Sequence, residues 1–417
     1  MEARYCVEEQ ILGNPQSWCG IQEIITREVD CACLYVSVEK EDARFWILKA
    51  TGAIHFTEKE VGLEANSVTG LVPDLDEFLK DSFRSLGILP QENCEDRSLD
   101  DTESTSLRHE SRPAPRDYNA KDIKANLQLC YEIIIAPVAN LLKEPEIIIV
   151  PDSCMYQVPF AALSDEGNKY LSETFRLRIV PSLTTLKRIQ DSPPDYHSQT
   201  GALIVGDPEV GEVIHNGRRK TMTALPCARK EAEMIGRLLG VTPLIGDRAK
   251  KQAVLQKINS VSLIHLAAHG CAERGEIALS PMRPSLSIPR EKDYLLTMVD
   301  ISKIQLRAKL LVLSCCHSGK GEIKAEGMIG IARAFLGSGA RSVLAARWAL
   351  NDEATEQFMT CFYKHLFRGE SVSESLHEAR RWMRNNGFDK VSDWAPFMLI
   401  GDNVTFDFRS WSVPIAP

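Results

Sequence analysis

At 417 residues, 44% hydrophobic and 25% charged, the chain is long enough for two or three domain-sized units around a large core. A formal charge of −8, with no run rich in Lys and Arg, argues against nucleic acid as a partner. Twelve cysteines are too sparse for a disulfide scaffold, and neither a signal-like N-terminus nor an 18-residue apolar run occurs; the expectation is a cytoplasmic or nuclear protein with free thiols and no membrane partner.

In chain order, Trp18–Arg27 is helix-like, and Cys31–Val38 and Arg44–Ala50 read as strands around a polar turn. Ala53–Thr57 extends that meander. Asp74–Leu86 places Leu75, Phe78, Leu79, Phe83 and Leu86 on one helical face. Between Pro90 and Asp117 Glu, Asp, Ser, Thr, Arg and Pro dominate. Such a segment buries too little to offset its ordering entropy, so a disordered acidic and polar loop is predicted over 90–117.

Lys121–Leu142 reads as one long amphipathic helix, followed by strands at Glu146–Val150, Phe175–Val180 and Ala202–Gly206. Helix Ala228–Leu239, strand Val241–Ile245 and helix Lys250–Ile258 come next. Two apolar strands, Ser262–Ala268 and Lys309–Ser314, flank a stretch that is irregular to about Leu295. Helix Glu326–Leu336 stops at Gly337 and Gly339. Strand Arg341–Ala346, helices Asp352–Phe367 and Val372–Asn385, and strand Pro396–Ile400 complete the chain. Doubly apolar strands alternating with helices predict an α/β fold, a largely parallel sheet flanked by helices on both faces. The parts are a smaller N-terminal α+β part over 1–120, the α/β domain over 121–405, and a tail over 406–417.

Two strand tips carry the chemistry. One ends in His269-Gly270; the other runs Ser314-Cys315-Cys316-His317-Ser318-Gly319, placing Cys316 47 positions after His269. Parallel neighbours display their tips at one sheet edge, and a His-to-Cys separation of roughly 50 is what caspase-like enzymes show. A cysteine nucleophile attacks as thiolate, which a nearby imidazole provides; backbone N–H groups, here of Gly270 and Cys316, would hold the oxyanion. A buried packing role for either cysteine is the common alternative, and alternation lets only one of the pair face a cleft. Cys271 is a weaker nucleophile candidate, and His265 reads as core. Adjacent cysteines do not have the spacing of a zinc knuckle, and Gly319-Lys320-Gly321 is not a P-loop.

Several motifs in order resemble the CHAT domain, the caspase-like domain found with tetratricopeptide repeats and akin to separase and the caspases. They are His-Leu-Ala-Ala-His269-Gly270, Leu-Ser-Cys-Cys316-His-Ser-Gly319, Gly327-Met-Ile-Gly-Ile-Ala-Arg-Ala-Phe-Leu336, Gly339-Ala-Arg-Ser-Val-Leu-Ala-Ala-Arg-Trp348 and Asp352-Glu-Ala-Thr355. Upstream, Val150-Pro-Asp, Val158-Pro-Phe-Ala-Ala-Leu163, Val205-Gly-Asp-Pro208 and Leu225-Pro-Cys-Ala-Arg-Lys-Glu-Ala232 also match, so the resemblance spans roughly residues 30–403.

The resemblance implies a caspase-like cysteine endopeptidase with a His269/Cys316 dyad, and a pseudo-caspase-like N-terminal half. It implies a protein or peptide substrate and no cofactor or metal. The enzyme would stay latent until a protein activator or tetratricopeptide-repeat partner acts. Relatives favour a basic residue at the cleavage point, held by an acidic pocket; Asp352, with Trp348 and Ser314, is assigned to that pocket, with Arg347 opposing it. The sequence departs from the family in Cys315, where a small residue is usual, and in His317-Ser318, where Glu-Thr is usual. No 34-residue repeat precedes the domain, so the chain reads as a fragment, a short paralogue or a domain recruited by others. The rival expectation is a catalytically inactive scaffold that keeps the fold.

Overall fold

A computed structural model of the chain describes residues 17–39, 42–60, 97, 99, 120–152, 155–156, 158–193, 195–271, 275–282, 287–315, 325–348 and 352–411. It divides into two units: Met1–Leu86 with Pro115–Ser192, and Gly87–Ala114 with Pro193–Pro417.

The first unit opens with α1 (Trp18–Thr26), whose N-terminus is capped by Ser17 accepting from the Gly20 N–H at 3.1 Å. β1 (Cys31–Glu39), β2 (Asp42–Lys49) and β3 (Ile54–Glu60) form an antiparallel meander. β4 (Glu146–Pro151) then lies parallel to β1, and β5 (Arg176–Ile179) parallel to β4. All six residues of β4 are buried, as a strand covered on both faces should be. α1 and α3 (Leu183–Gln190) pack together, with Ile24, Ile25, Cys31, Cys33, Ile148 and Leu186 in one apolar cluster.

One sequence expectation is corrected here. The helix expected over Lys121–Leu142 is α2 (Ala120–Ile134) followed by a separate 3-10 turn, Ala136–Leu141. Pro137 in that turn brings no N–H and crowds the preceding turn, so the α-helix stops before it. Arg178 is buried inside β5, where its guanidinium donates to Glu146 at 2.6 Å and to Glu28. Opposite charge on both sides makes a cation tolerable there.

The second unit carries the more regular sheet. Its strand order is β15 (Phe397–Gly401), β14 (Ser342–Ala346), β13 (Leu310–Leu313), β10 (Leu263–Ala267), β6 (Ala202–Pro208) and β9 (Leu244–Gly246). β15 is antiparallel to β14, and the other neighbours are parallel. β10, β13 and β14 are buried along their whole length. Helix α4 (Pro226–Leu239) starts on a proline at its first turn, ends on left-handed Gly240, and packs on β6 and β10. Its close approach depends on Gly206: a Cβ there would lie 2.4 Å from the Ala232 Cβ and 2.7 Å from the Ala228 carbonyl oxygen. α5 (Lys251–Lys257) follows β9; α6 (Ala325–Gly337) packs on β14, and α7 (Asp352–Phe367) on α4 and on α8 (Val372–Asn385).

Short elements appear where the sequence showed only irregularity. β7 (Glu212–His215) and β8 (Arg218–Thr221) form a hairpin across Asn216-Gly217, both with positive φ. β11 (Ile277–Ala278) and β12 (Leu295–Leu296) pair within the stretch after His269. The helix expected at Asp74–Leu86 and most of the 90–117 loop lie outside the described residues. Arg97 and Leu99 within that loop are described, and both are buried rather than solvated.

Candidate functional site

The register of β10 with β13 pairs Leu266 with Leu313 and so sets their tips side by side. Ser314 extends the ladder, its N–H donating to the Leu266 carbonyl at 2.9 Å. Cys315 is buried, and its Sγ lies 3.6 Å from the same carbonyl. Gly270 sits against it: a Cβ on residue 270 would come within 3.0 Å of the Cys315 Cβ, so glycine lets the two tips meet. Cys316 lies outside the described residues, as does His317.

His269 is buried at the end of this edge, with Nε2 2.9 Å from the Thr223 carbonyl oxygen. A carbonyl only accepts, so Nε2 carries the proton and, in a neutral ring, Nδ1 carries the basic lone pair. The backbone holds the ring in place: the Ala278 N–H donates to the His269 carbonyl at 2.9 Å, and Gly270 bridges Ile277.

Behind the tips lies a buried polar cluster. Arg97 Nη1 donates to the Ser314 carbonyl at 2.7 Å and the Ser314 Oγ at 3.1 Å, and stands 3.2 Å from Glu231 Oε2. Glu231, on α4, also has Oε1 3.2 Å from His265 Nε2, and His265 Nδ1 is 3.0 Å from the Tyr363 hydroxyl. Burial alone would raise the Glu231 carboxyl, but His265, Arg97 and Ser314 outweigh it and hold the group below the usual carboxylate range. Burial, and then the charge of Glu231, pushes the Tyr363 hydroxyl well above its ordinary value, so it stays protonated.

The backbone of the same segment reaches Gly270. The Gly270 N–H donates to the Arg97 carbonyl at 2.8 Å, and the Leu99 N–H donates to the Gly270 carbonyl at 3.0 Å.

Contacts thus bring together His269, Gly270 and Ser314 among the residues singled out from sequence, joined by Arg97. Trp348 is buried with its indole N–H on the Ser392 carbonyl at 3.0 Å, and the Arg347 guanidinium lies 5.9 Å over its ring. Burial lowers that guanidinium to about 10. Asp352 opens α7, where its charge suits the helix N-terminus. Sequence reasoning missed Thr223, Arg97 and Glu231. A signal for Glu231 was present: Ala228, Glu231, Ala232 and Ile235 form the buried stripe of α4, and a lone acid in an apolar stripe needs a partner. Among the described residues no group of His, Cys, Asp and Glu is arranged to hold a metal ion, and no helix is long and apolar enough to cross a membrane.

A mostly parallel sheet with helices, with His-Gly at one strand tip and a cysteine-bearing tip beside it, is the α/β architecture of the caspase-like proteins. The CHAT domain model matches residues 124–402, and the chain belongs to that family. It is 30% identical over 334 residues to human tetratricopeptide repeat protein 28, covering 69% of this chain and 13% of that protein. The mouse protein of the same name is 30% identical over 343 residues, with 71% of this chain and 14% of the relative covered. The chain therefore spans about a seventh or less of these relatives. Among solved structures, the Saccharomyces cerevisiae separase–securin complex is similar at a TM-score of 0.51 and 12% identity, covering 93% of this chain and 31% of that one. That likeness is one of fold.

Proposed function

We propose that the chain is a caspase-like cysteine endopeptidase, latent as it stands, with His269 as base and Cys316 as nucleophile. The observation that supports this is the bond from His269 Nε2 to the Thr223 carbonyl, which leaves Nδ1 as the basic nitrogen of a buried imidazole on the strand that pairs with the cysteine-bearing one. His269 takes the Cys316 thiol proton, or holds it as an ion pair, while the thiolate adds to a peptide carbonyl. The same proton then goes to the leaving amine, and water releases the acyl group. The N–H groups of Gly270 and Cys316 are assigned to the oxyanion. Asp352, Trp348 and Ser314 remain assigned to the substrate pocket, with Ser314 supported by its contact to a bound-in arginine.

The substrate is a protein or peptide, and an activator or a tetratricopeptide-repeat partner is expected, as the name of the relatives suggests. Eight free cysteines among the described residues fit a reducing compartment, cytoplasmic or nuclear. We keep 121–405 as the catalytic domain, with 1–120 as its smaller companion. An inactive scaffold is the second reading, favoured by the Gly270 N–H being already engaged by Arg97.

A cysteine-directed peptide probe, incubated for hours with wild type, Cys316→Ala and His269→Ala, separates the two. Wild type should be labelled at residue 316, and His269→Ala slowed by about 100-fold or more, the size of a general-base contribution. Equal labelling of wild type and Cys316→Ala would remove the peptidase reading.

A further inference from the structure

We propose that Asp207 is a positioning residue for His269: acting through the backbone of residues 223–225, its carboxylate sets the tautomer and orientation of the imidazole. The proposal takes the role of His269 from the peptidase reading and adds the residue that orients it.

The bond from His269 Nε2 ends on a carbonyl that its own residue does little to hold. Thr223 and Ala224 are both exposed and lie in no helix or strand. Their place is set by the residues on either side. Met222 donates its N–H to the Gly211 carbonyl at 3.0 Å. Leu225 is buried in one cluster with Ala228 and Ala267, and donates its N–H to Asp207 Oδ1 at 2.6 Å. The Thr223 carbonyl lies between these two anchors and meets His269 Nε2 at 2.9 Å.

Asp207 is placed for this contact. The register of β6 with β9 shifts between Gly206 and Pro208, so Asp207 is the extra residue of a bulge, a device that re-aims a side chain. Its φ is 47°, and the residue is buried. Such a left-handed backbone persists where the surroundings over-determine it. Arg229, in the first turn of α4, holds the other oxygen, with Nε 2.9 Å and Nη2 2.7 Å from Oδ2. That grip keeps the carboxylate turned so that Oδ1 stays on Leu225. The N–H it takes belongs to Leu225, the residue before the helix, rather than to the first-turn amides that a capping side chain serves. Ala267 pairs with Gly206, so the bulge lies beside the His269 end of β10. Val205-Gly-Asp-Pro208 and Leu225-Pro-Cys-Ala-Arg229 are thus two halves of one contact: Gly206 admits α4, Asp207 and Arg229 pair, and Leu225 receives the bond.

The test reads the tautomer of the full chain rather than turnover. Nitrogen NMR of histidine-labelled protein, with His269 assigned by its loss in His269→Gln, should show a single neutral form protonated on Nε2. Asp207→Gly removes the carboxylate and suits the left-handed backbone, so it should fold. In it the single form should give way to both tautomers, and peptide-probe labelling of Cys316 should slow by about tenfold or more, part of a general-base contribution. Asp207→Asn keeps an oxygen for the Leu225 N–H and tolerates the same φ, so it should restore the single form. Arg229→Ala, at a half-exposed side chain, releases the carboxylate without touching β6 and should show the mixture in part. An unchanged tautomer in Asp207→Gly, or in Arg229→Ala should the former not fold, overturns the proposal. A mixture in Asp207→Asn equal to that in Asp207→Gly overturns it as well. The peptidase reading fails separately. If the tautomer responds as expected but wild type is never labelled at Cys316, Asp207 still orients His269 and the peptidase reading falls; labelled wild type with an unchanged tautomer in Asp207→Gly gives the reverse.

Discussion

Glu231 and His265 face each other at 3.2 Å between α4 and β10, both inside the protein. The pair links Arg97 to Tyr363 on α7, since His265 Nδ1 is 3.0 Å from the tyrosine hydroxyl. A carboxylate there serves two cations or potential cations at once, with Arg97 on one oxygen and His265 on the other. That double pairing is why it remains ionised while buried.

Removing this carboxylate should be costly and pH-dependent. Glu231→Ala should lose about 3–5 kcal/mol at neutral pH, the usual result of leaving a buried partner charge uncompensated. Because the folded carboxyl titrates below its ordinary value of 4.5, the stability it contributes is complete above that value and is lost as pH falls toward the folded one. Urea unfolding at several pH values from 7 down to 3 checks this. The gap between wild type and Glu231→Gln should shrink across the acid range, and a constant gap would contradict the shift.

Gly206→Ala should destabilise the second unit. The new methyl would meet Ala232 and the Ala228 carbonyl at distances no packed carbon tolerates, so α4 must move from β6. Overpacking of this kind costs about 1–3 kcal/mol. Because α4 carries Glu231, the same variant should also loosen the Gly270 amide in hydrogen exchange. Destabilisation without that loosening would show that the shift of α4 does not reach the site.

Arg178→Ala tests the first unit. Its guanidinium lies between Glu146 and Glu28, and Gln190 donates to Glu28 at 2.6 Å. Losing the cation leaves two carboxylates facing one another, and about 3–5 kcal/mol of stability should go with it. Arg178→Ala combined with Glu146→Gln should recover part of the loss, measured by thermal or urea unfolding. The thiols beside this network should stay inert to alkylation in the folded protein, since burial pushes Cys33 to about 12 and Cys31 to about 11.

Much of the second unit was legible because its inner strands are apolar on both faces. Ser262–Ala268 and Lys309–Ser314 are each one residue shorter at either end in the structure, the usual uncertainty of an element's boundary. Asn216-Gly217 was also legible in principle, being the strongest short hairpin signal, but the polar strand Arg218–Thr221 beside it hides the pairing. Pro137 was in plain view as well, and its missing N–H should have divided the long helix.

Sequence alone determined the parallel α/β sheet, because continuous Val, Ile and Leu runs can be buried only between covering layers. It also determined which two tips carry His269-Gly270 and the paired cysteines, and through its ordered motifs the family. Only the tertiary structure decided which distant residues serve those tips. Thr223 fixes the His269 tautomer through a backbone carbonyl, a group every residue has and no sequence pattern marks. Arg97 looked like part of a solvated loop, because composition counts how much a segment can bury and not where one charge finds its partner. Glu231, 134 positions away on α4, supplies that partner.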